Sequence, residues 1–212
     1  MIRSPIYSVA WRAAVVLLTV EIAMVSALRY FTGSEPPPPP IVANPFADPF
    51  LILHVAGGVT ALLAAPIQFV GRLRARRPAL HRAAGRIYVL ACAVAAPTGF
   101  VLALGSTAGP VAGAGFATQA VLWGAFTWLA WRSAVERRFS EHREWMLRSY
   151  AATSSAITFR LMLPASALLG LDFLATYRVI AWLPWITNLA LFEYYIRRSR
   201  GPAAGRARLA TA

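Results

Sequence analysis

Apolar residues fall into six blocks along the chain, at about Val9–Tyr30, Pro49–Val70, Ala83–Leu104, Ala112–Trp131, Trp145–Leu169 and Tyr177–Ile196. Each is close to the roughly twenty residues that, at about 1.5 Å of helical rise apiece, cross a hydrocarbon core of about 30 Å. The pattern predicts an all-α polytopic membrane protein, a bundle of six transmembrane helices. Residues 1–31 carry the first helix, 32–48 a Pro-rich extracytoplasmic loop, 49–196 a five-helix membrane core and 197–212 a basic cytoplasmic tail, expected to be unfolded. The run Pro36–Pro40 cannot form an α-helix and favours extended polyproline II. Asp48 followed by Pro49 then reads as an N-cap and first helical residue. Arg3, an apolar stretch and the small residues Val25–Ala27 imitate a cleaved signal peptide, but the stretch is long for one and carries Glu21. An uncleaved first span is expected.

Composition agrees with the pattern: 58% of residues are hydrophobic and 14% charged, far from the balance of a soluble domain. The formal net charge of +13 comes with no lysine at all. Nucleic acid is not the partner this implies, because the arginines sit in short connections between apolar blocks. Arg72, Arg74, Arg76, Arg77, Arg82 and Arg86 crowd the second connection, Arg132, Arg137, Arg138 and Arg143 the fourth, and Arg197, Arg198 and Arg200 open the tail. The alternate connections hold Glu35, Asp48 and Asp172, with only Arg29 and Arg178 nearby. By the positive-inside rule both termini are cytoplasmic, with anionic lipid headgroups as the partners of the arginine-rich face. Cys92, the one cysteine, excludes a disulfide framework and thiolate zinc spacings.

Ionisable side chains inside a bilayer are costly, which makes each of them a candidate for function. His54 lies five residues into the second block, about 8 Å below the outer face, and Arg160 about 22 Å above the inner one. Both therefore reach one outer depth. Glu21 and Asn188 count to mid-membrane, with Glu21 a counter-charge for Arg160, and Gln68 stands at the inner end of the second block.

An inner tier forms around two further histidines. Pro78 suits a first helical turn and places His81 in it. Ser140 reads as an N-cap, which places His142 in the first turn of another helix. Helix N-termini and the neighbouring Arg82, Arg86, Arg143 and Arg148 favour neutral imidazole, the form that ligates a metal or haem iron. Two stripes result: His142, Met146, Ser149, Thr153, Ala156 and Arg160, and His81, Gly85, Tyr88 and Cys92, with Gly85 leaving room for a bulky group.

The segments His54–Phe69, Leu80–Leu90, His142–Thr153 and Thr158–Pro164 resemble the predicted membrane protein family known as domain of unknown function 2306. The resemblance runs from about Phe50 to the end of the last block. It implies a polytopic bacterial protein of the cell (inner) membrane, and brings no reaction or ligand with it.

Three functions follow from the residues. The first is a haem-binding or other redox protein, with a b-type haem on His81 and His142 and its propionates on Arg82, Arg86, Arg143 and Arg148. The second is a carrier or binding protein for a small anionic or quinone-like molecule. It would use Arg160 and His54, with Gln68, Glu21 and Asn188 along the route, and requires a cavity between helices. The third is a structural or regulatory subunit, in which these side chains only position helices and lipids.

Overall fold

A computed structural model describes residues 5–33 and 43–209; the proline run, expected in polyproline II, lies outside them. The described chain is all helical. Helix α1 (Pro5–Ala27) runs into a π-helical turn, Leu28–Thr32, that ends on Gly33 with φ at 67°. There follow α2 (Ala47–Gln68), α3 (Gly71–Arg76), α4 (Pro78–Leu104), α5 (Pro110–Val135), α6 (Phe139–Leu168), α7 (Phe173–Ile180) and α8 (Leu183–Leu209).

Four stretches are long and apolar enough to cross a membrane: Ala14–Thr32, Ala47–Gln68, Pro78–Leu104 and Phe173–Arg200. Helices α5 and α6 are long enough, at 26 and 30 residues, but less apolar. In α6 the charged segment Glu141–Arg148 and then Arg160 break the apolar run.

Each long helix packs chiefly on its neighbour in the chain, and α2 against α4 is the most extensive pairing. That pair approaches closely because small residues face each other. Ala61, Ala65, Ala91 and Ala95 are buried between the two helices. A β-carbon on Gly57 would stand 2.7 Å from the Ala91 carbonyl oxygen and 2.9 Å from Ala95 Cβ. Small faces let backbones meet where lipid gives no hydrophobic push between helices. Helix α1 is attached differently, resting on α2 through Ile22, Ala23 and Leu62 and touching α6 only lightly.

The two polar stripes meet in the centre. Tyr88, fully buried on α4, has its hydroxyl 2.7 Å from both Ser149 Oγ and Thr153 Oγ1 of α6. Ser149 Oγ is also 2.7 Å from Thr127 Oγ1 of α5. Three helices are thus tied by hydroxyls that would be expensive to bury alone.

Helix starts agree with the sequence reading at Pro49 and Pro78 and depart from it elsewhere. Pro78 and Pro110 open α4 and α5, and extended backbone at Asp48 (φ −98°, ψ 126°) leaves the regular part of α2 to begin at Pro49. Ser140 is not an N-cap: Arg138, at φ −84° and ψ 69°, holds that position, and Ser140 lies inside the first turn with His142. The sixth apolar block is not one helix. It breaks at Ala181–Trp182, ahead of Pro184, where the Trp182 ring nitrogen donates to the Val111 carbonyl oxygen of α5. The tail is not unfolded over Arg197–Leu209, because α8 continues through it. There Arg200 pairs with Glu144 of α6, and Arg197 with Glu193 one turn earlier.

Candidate functional site

A cavity of about 820 Å³ opens between α1, α2, α4, α5, α6 and α7. Its volume falls within the range of small-molecule pockets. Most of the wall is apolar, with Leu18, Ile22, Val55, Leu102, Phe116 and Phe159 among its residues. Set into that wall is a sparse polar group: Glu21, Arg29, Tyr30, His54, Gln119, Arg160 and Tyr177.

Arg160 is the dominant charge. It projects from the C-terminal third of α6, and its one hydrogen bond among the described residues runs from Nη1 to the Ala156 carbonyl oxygen at 3.3 Å, within its own helix. No carboxylate among the described residues forms an ion pair with it. Its charged and titratable neighbours are Tyr30, Arg29 and Tyr177. A guanidinium cannot shed its charge, so away from bulk water it calls for a partner.

His54 lies near enough to feel that charge. Its Nδ1 is 2.8 Å from the Ala95 carbonyl oxygen. A carbonyl only accepts, so Nδ1 carries the proton and Nε2 presents a lone pair. Gly99 makes the ring position possible: a β-carbon there would stand 2.8 Å from both Cε1 and Nδ1 of His54. Gly99→Ala is therefore expected to push the ring off the Ala95 carbonyl while sparing the fold. Its measurable signature is an altered His54 imidazole resonance in NMR without a comparable drop in thermal stability.

The remaining outer residues separate. Glu21 reaches the cavity wall but is largely exposed, and it makes no ion pair with Arg160. The expected counter-charge is therefore missing. Asn188 does not line the cavity. Its amide bonds Ser154 and Thr158, each at 3.2 Å, and clamps α8 to α6. Gln68 lies at the inner end of α2, only 8% exposed, and also away from the cavity.

The inner tier does bring His81 and His142 together, near enough for the charge of one to act on the other. His142 donates from Nδ1 to the Ala130 carbonyl oxygen at 2.8 Å, and His81 Nδ1 is buried without a hydrogen-bond partner. The geometry lends haem no further support. Among the described residues no three His, Cys, Asp or Glu side chains are grouped to hold a metal. The space at Gly85 is occupied by Gln68, whose Oε1 lies 3.4 Å from where a β-carbon would be. Arg148 is committed to Glu193 at 2.8 Å and lies over the Trp145 ring at 4.7 Å. Arg82, Arg86 and Arg143 are exposed, the last donating to the Tyr195 hydroxyl.

Several cavity residues had no distinct signal in the sequence. Tyr30, Tyr177 and Trp123 are aromatics within or at the ends of apolar blocks, and Gly99 and the Ala95 carbonyl matter only through the rotation of α4 against α2. Gln119 alone offered a clue, as a lone amide in an apolar helix; it donates to Ser155 Oγ and to the Ala152 carbonyl oxygen.

No curated protein and no solved structure matches the chain. Residues 51–196 match the family model described as predicted membrane protein (DUF2306), a stretch that includes His54 and Arg160 and excludes α1. With most of its length inside that match, the chain belongs to the DUF2306 family of predicted membrane proteins.

Proposed function

We propose that the protein binds an amphipathic organic anion, and passes it on, from a cavity in a six-span bundle of a bacterial inner membrane. Both termini are cytoplasmic in this reading. Helices α5 and α6 span alongside the four more apolar stretches, since they are long enough and expose apolar residues such as Val121, Trp128 and Leu168 outward. The arginine-rich connections meet anionic headgroups on the cytoplasmic face.

The observation that carries the reading is Arg160, a half-buried cation without a carboxylate partner among the described residues, facing a mostly apolar cavity. Apolar walls receive a hydrocarbon or ring body, and the guanidinium fixes one acidic group by charge-assisted hydrogen bonds. Tyr30 and Tyr177 stand ready as further donors. A lipid-like carboxylate fits this chemistry; a neutral hydrocarbon leaves Arg160 unmatched.

Dansylaminoundecanoate, a fluorescent fatty-acid anion, and its methyl ester differ mainly in that charge. Fluorescence titration of detergent-purified protein, with empty micelles subtracted, is expected to show saturable binding of the acid and at least about tenfold weaker binding of the ester. Equal affinities for the two, or no saturable binding of the acid, would sink the proposal.

A further inference from the structure

We infer that the cavity takes up its anion together with a proton, and that Nε2 of His54 is the atom that receives it. This deepens the anion-binding reading and rests on it.

The geometry of the ring is the starting point. With Nδ1 donating to the Ala95 carbonyl oxygen at 2.8 Å, the protonation of that nitrogen is fixed by the backbone of α4. The ring is seated over Gly99, the one side of α4 that has no side chain to displace it. Among the described residues Nε2 has no hydrogen-bond partner, on a ring that lines the cavity. A proton acceptor has thus been oriented and then left unpaired.

The charged and titratable groups around it come from three elements. Helix α1 and its π-helical turn present Glu21, Arg29 and Tyr30, α6 presents Arg160, and α7 presents Tyr177. The walls formed by α4 and α5 present none, only Gly99 and uncharged side chains such as Gln119 and Trp123. Arg160 is the guanidinium whose charge acts on the His54 ring. In the vacant cavity an imidazolium at His54 would add a second positive charge beside Arg160. An anion held by Arg160 cancels that repulsion and supplies an attraction, so the same ring then accepts a proton from water.

The charges balance. The ligand contributes one negative charge and the proton one positive, so the occupied cavity carries the same net charge as the empty one. In effect the protein binds an organic acid as separated carboxylate and proton, on Arg160 and on His54. A chain that handled such a ligand across a membrane would move a weak acid without moving net charge.

Proton uptake is read by isothermal titration calorimetry of dansylaminoundecanoate in two buffers of different ionisation enthalpy, at about pH 7.5, a pH at which a free histidine is mostly neutral. The wild-type protein is expected to take up close to one proton per probe bound. His54→Gln retains saturable but weaker binding and takes up none. The affinity of the wild type should also fall with rising pH, by at most about tenfold per unit, while His54→Gln gives a flat profile. A wild-type uptake of zero, or the same uptake in His54→Gln, overturns the inference and leaves the anion site standing. Absence of saturable probe binding in the wild type removes the anion site itself, and the proton with it.

Discussion

Arg160→Gln is expected to weaken dansylaminoundecanoate binding by about 10- to 100-fold. The estimate follows from about 1.5–3 kcal/mol for a hydrogen bond to a charged group and about 1.4 kcal/mol per decade of affinity. Glutamine keeps a donor of similar polarity at the site, so the loss isolates the charge and the planar fork of the guanidinium. Arg160→Lys should fall between, retaining the charge but only one nitrogen.

The same residue makes a second, opposite demand. Among the described residues its guanidinium makes one hydrogen bond, to its own helix, from a half-buried position at the cavity. Arg160→Met removes that desolvated charge and is expected to raise the melting temperature of the ligand-free protein, by about 2–4 °C for each kcal/mol relieved. Binding lost and stability gained in one substitution would mark a residue kept for its ligand. Unchanged probe affinity in Arg160→Gln would remove Arg160 from the site, whatever happened to stability.

Gly57→Leu is expected to abolish folded protein. The added β-carbon alone would sit 2.7 Å from a backbone oxygen of α4 and 2.9 Å from Ala95 Cβ, and a leucine adds three more carbons to that clash. Overpacking commonly costs about 1–3 kcal/mol when side chains can yield, and here the obstructing atom is backbone. The adjacent glycine supplies the control. A β-carbon on Gly58 meets nothing within 4 Å, so Gly58→Ala should purify as a monodisperse species in normal yield. Size-exclusion profiles of the two variants check this, and a well-folded Gly57→Leu protein would refute the tight α2–α4 contact.

Much of the helical layout was legible because hydrophobic block length and proline position are local signals. Pro78 opens a helix in the structure as its missing N–H group suggests it should. Ser140 misled for a related reason: serine suits an N-cap, but the cap is decided by backbone angles, and the chain had already turned at Arg138. The break at Ala181–Trp182 was hidden inside an apolar block, since hydropathy does not register a turn whose polar groups are satisfied by a neighbouring helix. Counting residues along two helices placed His54 and Arg160 at one depth, and both do line one cavity. The count could not give the rotation of each helix. For that reason it assigned Glu21 to Arg160, Asn188 to the route and Gly85 to a bulky ligand. Each of these depends on which way a face points once the helices are packed.

Helix α1 and its π-helical turn lie outside the stretch matched by the family model, yet Leu18, Ile22, Val25 and Arg29 complete one side of the chamber. The Arg160 guanidinium, the His54 imidazole and most of the wall belong to the matched stretch, and one panel of the chamber lies outside it. On the anion-binding proposal, exchanging that panel would change the girth of the guest and leave Arg160 and His54 in place.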